Sequence, residues 1–578
     1  MKKKKGISLI VLVITIIIMI VLAGAIILSL QSSGIIGKAQ DAVEKSNKSN
    51  IKQAATIISS ELELELLNNP NFLNGKSKTQ YMKEKLTEQG FDLSKIAVVE
   101  KDGGQIVIES AGIKDVIETS ENKYILLNNG TVLAAGLNDR GQLGTGDFNA
   151  RNAFVQIPTE TLSNVKTLIA REKSAYAILE DGTVKAWGGN ANGRLGLGHT
   201  NDVAVPTQIN KNKLSDVKEI TIFASSYMYA IINDGTVRVW GDSSYGRLGI
   251  EYVGDITEPV QVPTSTLSNV KQIKFGNASM FAVLYDGTVK VWGNNAYGAL
   301  GLGSTIDGDT PTLIPTNTLS NVKEIYASSY NCTYALLNDG TMKAWGNNGS
   351  GQLGIGNTST QYLPVQIPTD KLSNVKEFKI IQKYAYALTN DNKFIVWGDN
   401  YYRQLGVGNI SMQTQPVQVL EGVKEFPIVT SLYTMALMND GTVKACGYNS
   451  SGQLGLGDTN QRSVFTLIPT DKLSGVKDLK HVSSSLYAIL DNGTIKTWGY
   501  NSNGELGLGD TQNRLYPIEI SVSKLSSVKN IWASGYNAVL AEQENGDIKA
   551  WGNNSYGKLG VGDTQNRTEP TKIKILYK

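Results

Sequence analysis

Residues 337–354 read LNDGTMKAWGNNGSGQLG, and close variants of this stretch recur along most of the chain. Asp339-Gly340 is typical of a two-residue hairpin turn, because both central positions of such a turn must accept positive φ. Short alternating segments flank the turn, and a glycine-rich loop follows them. One copy therefore predicts four short antiparallel strands, at 322–325, 334–337, 341–345 and 363–367.

The turn recurs with a nearly constant period. Its anchor residues are Gly130, Gly182, Gly235, Gly287, Gly340, Asn392, Gly441, Gly493 and Gly546, spaced by 49 to 53 residues. One four-stranded sheet cannot bury both faces alone, whereas sheets stacked around an axis bury them and leave only short edges. The sequence predicts an all-β propeller of about nine four-stranded repeats over 113–578, preceded by a long N-terminal α-helix and a small α+β segment.

Tryptophan follows the same register. Seven of the eight tryptophans stand five residues after an anchor: Trp187, Trp240, Trp292, Trp345, Trp397, Trp498 and Trp551. Ala135 and Cys446 occupy the two remaining places. A large side chain repeated once per blade is suited to packing adjacent sheets together, which favours a structural role. An aromatic cage for a ligand is the alternative interpretation.

The copy at 337–354 resembles the repeat of the regulator of chromosome condensation family, and the resemblance extends over 113–578. The family usually closes seven blades. Nine signatures imply a larger ring, a seven-bladed ring with two extra units, or an open spiral, and the uninterrupted period favours a continuous ring or near-ring. The best-known member is a nucleotide exchange factor that reaches a small GTPase with an inserted hairpin and also binds chromatin. Spacings of 49 to 53 residues leave no room for that insertion, which disfavours an exchange factor-like regulator.

The N-terminus predicts a membrane anchor. Four lysines at 2–5 precede an uncharged apolar stretch at 7–30, whose 24 residues form a helix of ~36 Å at ~1.5 Å per residue, long enough to span a bilayer. A secretory signal has a shorter apolar region. Because lysines stay on the cytoplasmic side, we expect a single-pass protein with a cytoplasmic N-terminus and an extracellular C-terminal domain at the cell surface.

Residues 5–10, KGISLI, resemble a type IV prepilin leader. The resemblance implies cleavage between Gly6 and Ile7, with the apolar helix retained. Val11 stands where the family usually has glutamate, so the resemblance implies membrane retention or a minor position beside pilin-like partners and puts a long filament in doubt. The expected domains are a leader at 1–6, a spanning helix at 7–30, a helix extension and small α+β linker at 31–112, and the propeller at 113–578. Within the linker we expect a short helix at 80–89 and a hairpin around 102–104.

Residues for catalysis or metal binding are sparse. The two histidines, His199 and His481, lie at unrelated repeat positions, so neither a metal site nor histidine-based catalysis is predicted, and no cofactor is expected. The two cysteines, Cys332 and Cys446, cannot form a disulfide framework. A net charge of +3 argues against nucleic-acid binding. Four aspartates follow the glycine-rich loops, where they cap backbone groups or, alternatively, bind calcium: Asp147, Asp458, Asp510 and Asp563.

One surface feature points to binding. Ten residues after the anchor, four copies carry tyrosine, on loops that should share one face of the ring: Tyr245, Tyr297, Tyr402 and Tyr556. Such aromatics suit stacking on a sugar or a protein partner, unless each ring packs on its own loop. The sequence favours a non-enzymatic, membrane-anchored or pilin-like surface protein that displays a propeller for protein or glycan binding. The alternative is an extracellular hydrolase with paired carboxylates in the propeller channel.

Overall fold

The computed structural model describes two compact units, Met1–Gly112 and Ile113–Lys578. In the first unit the described residues are 54–55, 57–59, 61–62, 65–66, 69, 72–73, 78–89, 96–101, 105–110 and 112. In the second they are 113–576, except 224–225, 244–245, 251–253 and 534–535. The apolar stretch 7–30 and the predicted processing site at Gly6 and Ile7 lie outside the described residues.

The first unit contains a helix, Lys78–Glu88, and an antiparallel strand pair, Ile96–Lys101 and Gln105–Ser110. The helix at 80–89 and the hairpin around 102–104 were both predicted from the sequence. Residues 54–55, 57–59, 61–62 and 65–66 are also helical. Apolar side chains from these residues pack on the helix Lys78–Glu88 in one small cluster: Ala55, Ile58, Leu62, Met82 and Leu86. Within the described part of the chain, no helix combines the length and the apolar character needed to cross a bilayer.

The second unit is a propeller of nine four-stranded antiparallel blades, numbered 1 to 9 along the chain. The first strands are Ile113–Glu118, Val165–Arg171, Val217–Phe223, Val270–Phe275, Val322–Ala327, Val375–Ile381, Ile428–Val429, Val476–Val482 and Val528–Ala533. The second strands are Asn122–Leu127, Ser174–Leu179, Tyr227–Ile232, Ser279–Leu284, Cys332–Leu337, Tyr384–Thr389, Tyr433–Leu437, Ser485–Leu490 and Ala538–Gln543.

The third strands end at the Trp-Gly pair or its equivalent. They are Val132–Gly136, Val184–Gly188, Val237–Gly241, Val289–Gly293, Met342–Gly346, Phe394–Gly398, Val443–Gly447, Ile495–Gly499 and Ile548–Gly552. The fourth strands are Arg151–Gln156, Val203–Gln208, Ile256–Gln261, Gly308–Leu313, Gln361–Gln366, Gln413–Leu420, Arg462–Leu467, Arg514–Glu519 and Arg567–Lys572. The nine four-stranded repeats predicted from the sequence are therefore confirmed.

The ring is closed by the end of the propeller sequence. First strands of successive blades contact one another and surround the axis, while fourth strands form the outer edges. A short strand after blade 9, Ile575–Leu576, adds to the outer edge of blade 1 in parallel, opposite Phe154 and Val155. Blade 9 is thereby joined to blade 1, so the nine units form one continuous ring.

Seven of the nine seams between blades contain a tryptophan. All seven repeat indoles are fully buried, and each donates its Nε1–H to a backbone carbonyl in the loop of the preceding blade, at 2.6 to 3.0 Å. Trp345, for example, bonds to the Ala299 carbonyl at 2.8 Å. Gly301 lies beside this indole with φ +73°, and a Cβ there would come within 2.8 Å of Trp345 Nε1. The loop glycines therefore allow the close approach on which each seam depends.

The two seams without tryptophan use phenylalanine instead. Ala135 and Cys446 stand at the vacant positions, and the fourth strands of the same blades carry Phe154 and Phe465. Each ring lies against the loop glycine that would otherwise contact the indole, Gly560 and Gly406 respectively. The seven tryptophan blades have proline at this position of the fourth strand: Pro206, Pro259, Pro311, Pro364, Pro416, Pro517 and Pro570.

Candidate functional site

The connections between strands define two faces of the propeller. Because strands within a blade are antiparallel, the turn between strands 1 and 2 and the loop between strands 3 and 4 emerge on the same side. We call this side the loop face. The Asp-Gly turns between strands 2 and 3 lie on the opposite side, which we call the turn face.

A buried asparagine holds each loop between strands 3 and 4 in place, except in blade 3, where Ser243 stands at this position. In blade 5, Asn348 Oδ1 accepts the Leu353 N–H at 3.0 Å, and its Nδ2 donates to the Asn357 carbonyl at 2.9 Å. The asparagines of this set are all fully buried: Asn138, Asn190, Asn295, Asn348, Asn400, Asn449, Asn501 and Asn554. The loops are therefore rigid supports for the side chains that they expose. The eightfold recurrence of this asparagine was visible in the sequence, and the repeat pattern built on glycine and tryptophan missed it.

Two of the predicted binding-face tyrosines are exposed on these loops. Tyr297 and Tyr556 are 52% and 48% exposed, with φ of 59° and 65°. A left-handed conformation is uncommon for a bulky residue and costs free energy that the surrounding structure must offset. Tyr245 lies outside the described residues. Strain at an exposed aromatic residue is typical of a functional surface.

Tyr402 belongs to a larger group of aromatic side chains that spans blades 5 to 7. Its ring centroid lies 4.9 Å from that of Tyr401 and 6.0 Å from that of Tyr448, both in edge-on arrangements. Tyr401 is 71% exposed, whereas Tyr402 and Tyr448 are half-buried. Edge-to-face contacts hold the rings in fixed orientations.

The turn between strands 1 and 2 of blade 5 and the second strand of blade 6 complete the group. Tyr330 is exposed, and the Lys383 ammonium lies 5.5 Å from its ring centroid. Burial, with further contributions from Asp399, Tyr402 and Tyr330, raises the pKa of Tyr384 to about 12, so its hydroxyl stays protonated. We call Tyr330, Tyr384, Tyr401, Tyr402 and Tyr448 the tyrosine cluster. Only Tyr402 was singled out from the sequence, because the other four stand at different repeat positions.

The four loop aspartates make structural contacts. Asp458 Oδ1 accepts the Asn460 N–H at 2.9 Å, and its Oδ2 pairs with Arg462 at 2.7 Å. Asp147, Asp510 and Asp563 repeat this arrangement with an arginine four residues later. The described residues contain no cluster of histidine, cysteine and carboxylate side chains that could hold a metal ion. Cys332 and Cys446 are both buried and free.

Two carboxylates on the first strands, which surround the central channel, pair with lysines. Asp478 pairs with Lys480 at 2.8 Å, and Glu324 pairs with Lys274 at 3.1 Å. Burial and the neighbouring Asp478 carboxylate raise the pKa of Glu425. A retaining or inverting hydrolase requires two carboxylates on either side of a substrate, whereas lysine-paired carboxylates serve as structural ion pairs. The lysine-paired carboxylates of the channel therefore do not favour the hydrolase alternative.

The seam between blades 9 and 1 contains buried charges. Glu118 pairs with Lys123 at 3.0 Å and with Lys558 at 3.3 Å, and all three side chains are at most 2% exposed. Burial lowers the pKa of Lys558, while the Glu118 carboxylate opposes this shift. Next to this group lies a cavity of about 460 Å³, which Glu118, Lys480 and Trp532 help to line.

A further carboxylate meets the chain where it enters blade 1. Glu542 is 3% exposed on the side chain, accepts the Ile113 N–H at 3.2 Å and pairs with Lys529 at 3.3 Å. The corresponding positions of the other eight blades are aliphatic: Leu126, Ile178, Ile231, Val283, Leu336, Leu388, Leu437 and Ile489. Glu542 thus provides a hydrogen-bond acceptor for a backbone N–H at the seam between blades 9 and 1, the two neighbouring blades that are not consecutive in sequence.

The fold and the loop face define a class of protein: a β-propeller built from one repeated sequence unit, with its variable side chains on rigid loops. Comparison with family models agrees. The RCC1-like domain model matches residues 220–487, and the regulator of chromosome condensation (RCC1) repeat model matches residues 181–230, 492–541 and 545–578. The repeats of this chain are therefore members of the regulator of chromosome condensation repeat family.

The proteins similar to this chain differ from one another in length and in function. The chain is 31% identical over 340 residues to the human E3 ubiquitin-protein ligase HERC2, covering 57% of this chain but only 7% of the ligase. It is 27% identical over 398 residues to the ultraviolet-B receptor UVR8 of Arabidopsis thaliana, covering 68% of this chain and 88% of the receptor. Prp20p from Saccharomyces cerevisiae, described with its binding to Gsp1p and histones, is 18% identical with a TM-score of 0.39, covering 65% and 94% of the two chains.

Proposed function

We propose that this protein is a non-enzymatic binding protein whose loop face docks a protein partner through the tyrosine cluster. The observation that carries the proposal is the group of fixed rings contributed by three consecutive blades, of which Tyr384 is buried and the other four are exposed or half-exposed. Tyrosine is enriched among the residues that dominate binding energy, because it offers a large rigid surface together with a hydroxyl. Relatives of the repeat family whose descriptions mention protein binding support this class of function.

The chemistry of the cluster suits a polar protein surface. Tyr401 offers a ring face at 71% exposure, and Lys383 and Asp399 place one charge of each sign at its border. An apolar centre with a polar rim is the usual anatomy of a protein interface. Tyr297 lies on a neighbouring loop of the same face, and it would extend the contact beyond blades 5 to 7.

We further propose that residues 7–30 anchor the chain in a membrane and that the propeller lies outside the cell. The uncharged apolar length and the preceding lysines support this proposal. Protease shaving of intact cells tests it: digestion of the propeller with cytoplasmic markers intact supports display at the surface. Protection of the propeller under the same conditions would refute it.

Site-specific crosslinking tests the loop face. A photoreactive phenylalanine analogue is placed at position 401 in the full chain, and a matched one replaces Tyr285, which is 61% exposed on the turn face. We expect a discrete protein adduct from position 401 and none from position 285. An adduct of carbohydrate alone, or equal labelling at both positions, would contradict a protein partner at the cluster.

The captured partner then allows a direct affinity measurement. Tyr401→Ala should weaken binding by about 10- to 30-fold, as expected for a central interface tyrosine worth ~1.5–2 kcal/mol. Tyr285→Ala serves as the control and should leave the Kd unchanged. Titration calorimetry with both variants distinguishes a loop-face contact from a general loss of fold.

A further inference from the structure

We propose that the outer edge of blade 7 is a docking site for an extended strand of a partner polypeptide, which adds in parallel to Arg462–Leu467. This surface is separate from the tyrosine cluster, and the proposal does not depend on the function of the loop face. It follows from a comparison of the nine outer edges, which differ in whether a backbone N–H is present at one position.

Seven outer edges are blocked by proline. Proline has no N–H to donate, so a strand cannot pair across it, and proteins use proline on edge strands to prevent such pairing. Only the fourth strands of blades 1 and 7 have phenylalanine there, Phe154 and Phe465. These two edges therefore retain the donor that the others lack.

The edge of blade 1 shows what this donor does. The Phe154 N–H donates to the Lys574 carbonyl at 2.9 Å, and the Lys574 N–H donates to the Gly560 carbonyl at 2.8 Å. The strand Ile575–Leu576 continues the pairing in parallel. Under this cover, Ala153, Phe154 and Val155 are at most 5% exposed.

Blade 7 presents the same backbone groups without a cover. Its fourth strand pairs with its third in the register of blade 1: Lys444 lies opposite Leu467 as Leu133 lies opposite Gln156. Gly406 stands where Gly560 stands, against the phenylalanine ring in both cases. Near its start, this edge carries the single bridge between Val407 and Val464, as blade 1 carries one between Val561 and Ala153. Among the described residues, no strand continues from that bridge along the rest of Arg462–Leu467. The Phe465 N–H and the Gly406 carbonyl therefore form a donor and acceptor pair of the kind that holds Lys574.

Apolar side chains surround this open edge. Val464 and Leu467 on the strand are 51% and 44% exposed, and Ile410 and Met412 on the preceding loop are 59% and 46% exposed. In strand addition, backbone bonds supply affinity and alternate side chains supply specificity. The fitting partner is an extended segment with aliphatic side chains, of the type that Lys574-Ile575-Leu576 provides to blade 1.

A peptide binding measurement tests the site. The probe is a fluorescein-labelled peptide with the sequence of residues 571–578, TKIKILYK, titrated with the full-length chain in detergent and followed by fluorescence anisotropy. Hydrogen exchange then locates the binding. We expect new protection in residues 462–467. Protection confined to residues 151–156 would mean exchange with the chain's own strand and would overturn the proposal.

Closing the edge should abolish binding. The double variant Cys446→Trp with Phe465→Pro gives blade 7 the residue pair of the seven closed blades, so its fold has seven precedents in the same molecule. We expect at least about tenfold weaker peptide binding, as for the loss of a backbone hydrogen bond with its donor. Phe465→Leu keeps the N–H and is the control that should retain binding. Unchanged affinity of the double variant would refute the edge as the site.

A modified peptide gives a second test that leaves the protein unaltered. N-methylation at the residue corresponding to Lys574 removes the N–H that would bond to the Gly406 carbonyl. Binding should again weaken about tenfold, while methylation at the residue corresponding to Lys578 should have no effect. Sedimentation of the unliganded chain completes the set: a dimer that the closing variant dissociates would assign the edge to a second copy and would overturn a separate partner.

Discussion

The seam between blades 9 and 1 and the seam between blades 4 and 5 join the same kinds of sheet with opposite chemistry. At the latter, the Trp345 indole fills the space between blades and bonds to the Ala299 carbonyl. At the former, Ala135 leaves that place to Phe154, and Glu118, Lys123 and Lys558 bring charge into the interior. A seam between sequence neighbours can be apolar because the chain itself aligns the blades. The closing seam lacks that covalent alignment, and its directional ion pairs and added strand specify how blade 9 meets blade 1.

The largest effect should come from removing an indole. Trp345→Ala is expected to lower the free energy of unfolding by ~3–5 kcal/mol, because it leaves a cavity and removes the indole N–H bond to the Ala299 carbonyl, which keeps only its bond from the Thr333 hydroxyl. Denaturant unfolding followed by circular dichroism measures the change. Trp532→Ala is the control: Trp532 is the eighth tryptophan and only half-buried on the first strand of blade 9, so a smaller loss is expected. Equal losses would show that indole position between blades is unimportant.

Neutralising the carboxylate of the closing seam should have the next largest effect. Glu118→Gln leaves Lys123 and Lys558 buried without their counterion, which is expected to cost ~3 kcal/mol at pH 7.

The pH dependence of this variant follows from Lys558. Burial already lowers the pKa of Lys558 below its ordinary 10.5, and loss of Glu118 lowers it further. The unfolded chain then binds more protons than the folded one between the folded pKa and 10.5. Stability of Glu118→Gln should therefore rise from pH 7 towards pH 10 more steeply than that of the parent. A parallel pH profile for both proteins would contradict this account.

Converting the phenylalanine seam of blade 7 into a tryptophan seam should have an intermediate effect on the free energy of unfolding. Cys446→Trp alone places an indole against Phe465, an overpacking expected to cost ~1–3 kcal/mol. Adding Phe465→Pro recreates the pair of the seven tryptophan blades and should recover most of that loss. The double-mutant cycle measures the coupling, and additive single effects would show that indole and phenyl do not share one space.

The smallest effect should come from the exposed loop pairs. The Arg514 guanidinium and the Gln512 N–H hold the pKa of Asp510 below its ordinary value. This stabilisation is present above the unfolded pKa of 3.8 and is lost as the pH falls through the lower folded value. Because the Asp510 side chain is 41% exposed, Asp510→Asn should cost no more than about 0.5 kcal/mol at pH 7. Thermal unfolding at pH 7 and pH 3 checks this, and the difference from the parent should shrink at pH 3.

The regularly spaced residues made most of the fold predictable from the sequence. The nine turns and seven indoles predicted the blades, and the strands of blade 5 begin and end within two residues of their predicted bounds. The exceptions to the period are harder to interpret from the sequence. Lys123 and Glu542 stand at positions that are uncharged in the other blades, and Phe154 and Phe465 replace proline wherever tryptophan is missing. The charged residues mark the closing seam, and Phe465 marks the open edge of blade 7. The sequence alone does not show which of these residues are neighbours, because that depends on how the strands and blades pair.

The tyrosine cluster was less accessible from the sequence for a physical reason. Repeat position predicts which residues share a loop, and it placed Tyr297 and Tyr556 on exposed loops. The cluster also draws Tyr330 and Tyr384 from other elements of neighbouring blades, whose proximity depends on how adjacent sheets are rotated around the axis. The membrane helix, its processing and the surface location remain predictions from residues 1–30.

The strand Ile575–Leu576, which acts as a latch on blade 1, has a consequence for how the propeller folds and unfolds. These residues follow all nine blades along the chain, whereas their pairing partners belong to blade 1, so the first blade to be synthesised is the last to be completed. Eight contacts between neighbours can form in order during synthesis, and the ninth joins positions as distant in sequence as Glu118 and Lys558. Under tension applied beyond Leu576, the two-residue latch should detach first, and the disc should then unroll blade by blade from its ninth member.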